Sequence, residues 1–273
     1  RRVMQRVHDI IEQVEPHDSV ERYTGLGVEV LQGYATIVDP WRVEVKLNDG
    51  GTQILTTRSI VIAAGARPVV PDLPGIEEVG FVTSDTLWET FAEREEPPER
   101  MLVLGGGPIG CELTQAFARL GSKVTQVERS DRILGREDED VSELATAALI
   151  KSGAEVLTGH EAVRFELEAG QKFAILKSAG GEKRVAFDTL LVALGRAARL
   201  EGYGLEKLGI DDERTIISNG FLQTRYPNIF TAGDVAGPYQ FTHTAAHQAW
   251  YATVNALFGQ FKKIKADYRV IPW

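Results

Sequence analysis

Apolar and polar residues change their period several times along this chain, and the changes mark out its elements. Val3, Met4, Val7, Ile10, Ile11 and Val14 recur at helical spacing, which predicts an amphipathic helix at the start. Asp18 and Glu21 have the spacing of a capping box for a short helix that stops near Gly25 and Gly27. The runs VEVLQGYATIVD, RVEVKL and QILTTRSIVIAAG then read as strands, with the NDGG between the last two as a hairpin turn. ARPVVPDLPGI is rich in proline and glycine and reads as an extended linker. SDTLWETFAERE predicts a helix capped by Ser84 or Asp85, and EEPPER a turn. From here the pattern is α/β. RMLVLGGG is a buried strand, GCELTQAFARLG a helix, SKVTQVER a second strand, and EDEDVSELATAALIKSG a helix with acids in its first turn, where the dipole favours them. AEVLTGHEAVRFELE, KFAILKS and KRVAFDTLLVALG form a strand meander. TIISNGFLQTRYPNIFTAGDV precedes a long helical run, THTAAHQAWYATVNALFG, and the closing KADYRVIPW reads as a strand.

Part of this order is stated twice. GVEVLQGYA from Gly27 is echoed by GAEVLTGHEA from Gly153, and SIVIAAGARP (59–68) by TLLVALGRAA (189–198). The second copy is a whole unit of strand, glycine loop, helix, strand, helix, meander and closing strand. The first holds only the helix, meander and closing strand. Two related mononucleotide-type domains are implied, with the front of the first lying ahead of Arg1. The absence of Met at position 1 and the aromatic end make a fragment of a longer protein the expectation.

Composition narrows the classes. A net charge of −9 lacks the basic footprint of a nucleic-acid binder. No apolar run reaches the length of a bilayer span, and no signal peptide opens the chain. A single cysteine permits neither an intrachain disulfide nor a thiolate zinc cage, which points to a reducing, cytoplasmic setting.

The chemistry concentrates in two glycine turns. Gly105, Gly107 and Gly110 in VLGGGPIG make a G-x-G-x-x-G between a predicted strand and a predicted helix. The first glycine permits the tight turn, the second lets backbone approach a pyrophosphate, and the third lets helix and strand pack closely. The helix opened by Pro108 and Ile109 presents free N–H groups and a partial positive charge to the diphosphate. Glu128 ends the second strand, 23 residues past Gly105, where a carboxylate accepts from both ribose hydroxyls and repels a 2′-phosphate. That favours NAD; Arg129 and Arg132 beside it keep NADP open. Cys111 reads as a small packing residue rather than a nucleophile. His243 and His247 stand four apart with no third ligand, so no metal site is expected.

Together these residues resemble the pyridine nucleotide–disulfide oxidoreductases, the family of lipoamide dehydrogenase, glutathione reductase and mercuric reductase. The mercuric-reductase-like branch is the nearest match, through SDTLWE, VLGGGPIGCELTQAFARLGSKVTQVER and THTAAHQA. TRYPNIFTAGDV is similar to the family's flavin signature. The resemblance implies that Asp234 bonds the ribityl chain of FAD and that Gly233 permits its close approach. It implies backbone contacts to FAD at Thr242, Ala35, Ala64 and Gly65. It places Glu112 near the nicotinamide amide, and Gly195 with Arg196 beside both cofactors. The family's first glycine loop, its redox pair C-x-x-x-x-C and its interface domain have no counterpart in this chain. GRAAR and AAG depart from the usual G-R-x-P-N and A-T-G.

The expected fold is therefore α/β, a Rossmann-like nucleotide-binding domain (75–196) inserted in a second, incomplete FAD-binding-type domain (1–74 and 197–265), with 266–273 the stub of an interface domain. The expected function is part of a flavin-dependent oxidoreductase passing hydride from NAD(P)H to FAD and on to a disulfide, metal ion or similar acceptor. The fragment alone is expected to be monomeric and inactive, and the full-length parent a homodimer. Two alternatives stay open: a same-fold flavoprotein without a redox disulfide, such as an NADH oxidase or ferredoxin-reductase-like protein, and a non-catalytic NAD-binding module.

Overall fold

A computed structural model describes residues 1–210 and 214–272. In chain order the helices are α1 (Arg2–Val14), α2 (Val20–Gly25), α3 (Ile76–Val79), α4 (Leu87–Thr90), α5 (Pro108–Arg119), α6 (Glu139–Lys151) and α7 (Thr242–Phe258). The strands are β1 (Gly33–Asp39), β2 (Arg42–Leu47), β3 (Thr52–Thr56), β4 (Ile60–Ile62), β5 (Ala66–Pro68), β6 (Val82–Thr83), β7 (Arg100–Leu104), β8 (Lys123–Val127), β9 (Glu155–Leu157), β10 (Glu161–Glu168), β11 (Gln171–Ser178), β12 (Gly181–Phe187), β13 (Thr189–Val192), β14 (Arg196–Ala198) and β15 (Ile229–Thr231). The chain divides into two compact units, one of residues 1–17 with 68–196, the other of residues 18–67 with those from 197 onward. The expected boundaries therefore move. The opening helix packs with the nucleotide-type unit, where Met4 joins the cluster of Val82, Leu87 and Phe91. The crossing falls at Arg67–Pro68 rather than at 74–75.

The first unit is built on a parallel sheet in the order β6-β13-β7-β8-β9. Its central strands β7 and β13 are apolar without alternation because both faces are covered. Met101, Val103 and Leu191 point into one cluster with Phe117 and Leu149 of α5 and α6. Leu102, Leu104, Leu190 and Val192 point into the other, with Phe165, Ala174 and Phe187 of the antiparallel meander β10-β11-β12. The order of strands is right for a doubly wound βαβ unit, with the chain switching direction between β13 and β7.

The second unit repeats the back half of this plan. The meander β1-β2-β3 is antiparallel, with its hairpin at Asn48–Gly51 as expected, and β4 follows it as β13 follows β12. Here the copies part. β13 is paired with β6 on one side and β7 on the other, whereas among the described residues β4 has β15 alone. Glu29–Leu31, which match β9 in sequence, form no strand. β9 is held by β8, and a strand exists only where a neighbour takes its hydrogen bonds.

Local expectations shift for physical reasons. The short second helix is capped by Ser19, whose Oγ accepts from Arg22 N at 3.2 Å, instead of by Asp18. The stretch after Ser84 makes only the four-residue α4, with Thr86 at its N-cap and no side-chain cap. Apart from Met4, the apolar stripe of α1 is poorly covered: Val3, Ile10, Ile11 and Val14 are 44–53% exposed. Tyr268–Val270 is a 3-10 turn and not a strand, and it packs Ala266 and Tyr268 against Leu222, Phe230 and Ala252 of the second unit.

One ion pair closes the first unit's sheet. Arg100 at the head of β7 donates from Nη2 to Asp188 Oδ1 (2.7 Å) and from its backbone N to Asp188 Oδ2 (2.9 Å), fastening β7 to the β12–β13 junction. The Arg100 guanidinium holds the Asp188 carboxyl below its ordinary value. Both side chains are about a third exposed, so solvent screens the pair and Asp188→Asn is expected to cost about 1 kcal/mol at pH 7. Because the folded value is lowered, the stabilisation is complete above the unfolded carboxyl value of about 4 and is lost as pH falls through the folded one. Thermal unfolding of both proteins checks this: the gap in Tm closes below pH 4, and a gap unchanged down to pH 2 contradicts it.

Candidate functional site

In the first unit the predicted residues gather where the parallel strands end. β7 runs into Gly105, β8 into Glu128, and β13 into Gly195. Ala193 N bonds Leu104 O (2.8 Å) and Gly105 N bonds Val127 O (2.8 Å), so the three strand ends are stitched together at one edge of the sheet. That edge is where doubly wound sheets bind their ligands.

Each glycine of the loop has its own constraint. Gly105 has φ +114°, and a Cβ there would run into the Ala193 carbonyl. A Cβ on Gly110 would strike the carbonyl oxygen of Gly105. Gly107 is different: nothing lies within 4 Å of a Cβ built on it, so this glycine faces open space. It is also the N-cap of α5 and offers no side-chain cap. Pro108 has no N–H, so the first-turn donors without intrahelical acceptors are those of Ile109 and Gly110. An open glycine beside uncapped helix amides fits the diphosphate of a dinucleotide.

Glu128 braces this loop. Its Oε2 accepts from Gly106 N (2.7 Å) and its Oε1 from Ser130 N (2.8 Å). Leu134 N adds a bond to Gly106 O (2.7 Å), so the segment after β8 lies against the glycines. Each carboxylate oxygen keeps a second lone pair for a ribose hydroxyl. Arg129 is exposed. Arg132 turns its Nη2 onto Gly135 O (3.2 Å) and leaves Nη1 buried with no partner. Cys111 is half-buried, with Sγ 3.5 Å from Gly106 O, and burial pushes its thiol up, which keeps it protonated and poorly nucleophilic. Glu112 lies exposed on α5. Gly195, at φ +109°, accepts from Val69 N (3.0 Å), and Arg196 beside it binds Asp85 Oδ1 (2.8 Å).

In the second unit the parallel pair β4 and β15 brings two predicted turns to one end. Ala64 and Gly65 follow β4, and Gly233 and Asp234 follow β15; Ala232 N bonds Ile62 O (3.0 Å) between them. Gly65 and Gly233 have φ +67° and +80°, and no atom lies within 4 Å of a Cβ on Gly65. A Cβ on Gly233 would lie 3.4 Å from Ala245 in the first turn of α7, so this turn sits against the helix that Thr242 opens. That helix, too, has no side-chain cap. Ala35 lies on β1 of the meander, exposed and paired with Val45. His243 and His247 each spend Nε2 on a backbone carbonyl, of Pro272 and Asp267 (both 2.9 Å).

Two glutamines that the pattern did not single out hold these turns. Gln126 of β8, fully buried, donates from Nε2 to Gly105 O (2.9 Å). Gln248 of α7, also fully buried, accepts from Gly233 N (2.7 Å) and donates to Gly237 O (2.5 Å). The sequence signal was there: a polar residue at an inward position of an apolar strand or helix needs a polar partner.

Comparison with known proteins shows the family and the fold. The family model described as pyridine nucleotide-disulphide oxidoreductase matches residues 2–249. A mercuric reductase of Streptomyces lividans is 34% identical over 258 residues, which cover 92% of this chain and 53% of that protein. A dihydrolipoyl dehydrogenase of Thermus scotoductus is 37% identical over 239 residues, covering 85% and 49%. The HOCl-induced flavoprotein disulfide reductase RclA from Escherichia coli superposes with a TM-score of 0.82 at 28% identity, over 98% of this chain and 59% of that one. The chain spans about half the length of the curated relatives it matches.

The glycines should separate in a stability measurement. Gly110→Ala forces helix and strand apart and is expected to cost ~1–3 kcal/mol, as overpacking does. Gly107→Ala meets no atom and has φ −76°, so its Tm should match the wild type. Equal Tm losses in the two variants would refute the distinction.

Proposed function

Because the chain belongs to the pyridine nucleotide-disulphide oxidoreductase family, we propose that it supplies the NADH platform and part of the flavin cradle of a flavin-dependent oxidoreductase. The observation that carries this reading is the open Gly107 at the uncapped start of α5, with the Glu128 carboxylate beside it. When bound, the nicotinamide and the flavin supply the hydride chemistry. The chain's own residues bind and orient. The N–H groups of Ile109 and Gly110 meet the diphosphate, and the α5 dipole favours its charge. Glu128 takes the ribose hydroxyls and opposes a 2′-phosphate, so NADH is the preferred donor. Arg129 stands next to it as the residue through which NADPH would still bind.

In the second unit, Asp234 and the backbone at Ala64, Gly65, Gly233 and Thr242 would hold FAD, with Ala35 contributing from the meander. The open face of Gly65 and the uncapped α7 fit such a group. Among the described residues β4 has a strand neighbour on one side only, so we infer that the flavin cradle is partial and the dinucleotide site whole. The acceptor of the electrons in the parent protein is a disulfide, a metal ion or a group of similar potential. The relatives named mercuric reductase and dihydrolipoyl dehydrogenase support that range. We take the parent to be a homodimer and this chain a monomer.

Calorimetric titration tests the reading. NADH should bind at least several-fold more tightly than NADPH, and Gly107→Ala should weaken NADH about tenfold, ~1.4 kcal/mol, without loss of Tm. Tighter NADPH would reverse the donor assignment. The chain should purify colourless; a yellow protein with stoichiometric FAD would show that the cradle is complete.

A further inference from the structure

Gln126 stands in the middle of β8, 0% exposed, with Val124 and Val127 of the same strand also buried. A buried amide is costly unless both its ends are bonded. Here only one is. Nε2 donates to Gly105 O at 2.9 Å and touches Cys111 Sγ at 3.5 Å, whereas Oε1 is buried with no partner. An apolar side chain of the same length would remove the orphaned oxygen but leave the buried Gly105 carbonyl without this donor, so what the glutamine contributes here is its one bond.

Its one strong bond lands on a particular peptide. The carbonyl of Gly105 and the N–H of Gly106 belong to a single peptide plane. Gln126 holds the carbonyl end, and Glu128 Oε2 holds the N–H end at 2.7 Å. Gly105 at φ +114° has no side chain to restrict it, and glycine backbone is otherwise free to rotate. The next residues are Gly107 and the first turn of α5, whose direction follows from the tilt of that plane. The same carbonyl is the atom that a Cβ on Gly110 would strike, so its position also sets how closely α5 approaches β7.

We propose that Gln126 is a positioning residue of the dinucleotide site, clamping the Gly105–Gly106 peptide from below so that the Gly107 turn and the α5 amides are pre-set for a diphosphate. The inference rests on the reading of this loop as a dinucleotide site. Glu128 and Gln126 act on opposite ends of one plane, and removing either leaves the loop to be ordered at the moment of binding, which weakens affinity.

The test sets stability against affinity in the full chain. Gln126→Met keeps the length of the side chain, removes the donor and removes the orphaned oxygen; Gln126→Leu does the same with a shorter chain. Thermal unfolding and calorimetric titration with ADP-ribose are measured for both and for the wild type. Each variant exchanges one unsatisfied buried acceptor for another, so its Tm is expected to stay near the wild-type value while its ADP-ribose Kd rises about tenfold. A Kd within twofold of the wild type would overturn the proposal. So would affinity lost in step with a lowered Tm, or failure of both variants to fold, since either makes Gln126 an ordinary strut. A wild-type chain that does not bind ADP-ribose would instead remove the site reading itself, and the proposal with it.

Discussion

A helix can start directly behind a strand only if the two backbones approach more closely than a methyl group allows. At Gly105 and Gly110 they do: the carbonyl of one occupies the place where the side chain of the other would begin. That contact turns the chain at the end of β7 and aims α5 back across the sheet. The uncapped amides of α5 then come to lie over the strand ends, beside Glu128 and the turn that closes β13. The apolar strands on either side make this contact rigid. They are buried on both faces, by helices on one and the β10–β12 meander on the other. The tight turn cannot relax without disturbing a packed layer.

Polar groups beneath the glycines complete the arrangement. A glycine loop has no side chains of its own to hold it, so its peptide groups must be bonded from elsewhere. In the first unit the bonds come from Gln126 and Glu128, both from β8 and its end. In the second, Gln248 reaches from α7 to Gly233 and Gly237. The two units thus use the same device, a buried amide fixing a glycine turn at the C-terminal ends of parallel strands, although the amide comes from a strand in one and a helix in the other.

Most of the architecture was legible along the chain. The hydrophobic runs at Arg100–Leu104 and Lys123–Val127, the glycine spacing between them and the acids opening α6 all correspond to observed elements, because local sterics and burial demand those residue types. The echo between Gly27 and Gly153 foretold two related meanders. It did not foretell that Glu29–Leu31 would lack a ladder, since strand formation is decided by a neighbour and not by the strand's own residues. The cap of α2 moved by one residue, from Asp18 to Ser19, because capping depends on which side chain the backbone leaves within reach of Arg22 N. The aromatic end became a 3-10 turn because Ala266 and Tyr268 pack against Leu222, Phe230 and Ala252.

Of the candidate residues, sequence alone placed those whose local geometry follows from residue type and spacing: the three glycines, Pro108, and the acid at the end of β8. The positive φ of Gly105, the missing N–H of Pro108 and a strand-end carboxylate are properties of residue type and spacing. What only the tertiary structure decided is which groups hold that geometry in place. The partners of Gly105, Gly106 and Gly233 lie 15 to 22 residues away in the chain, and such contacts are set by how layers pack. A hydrogen bond across a core leaves no periodicity in the sequence, only a polar residue where an apolar one would otherwise stand.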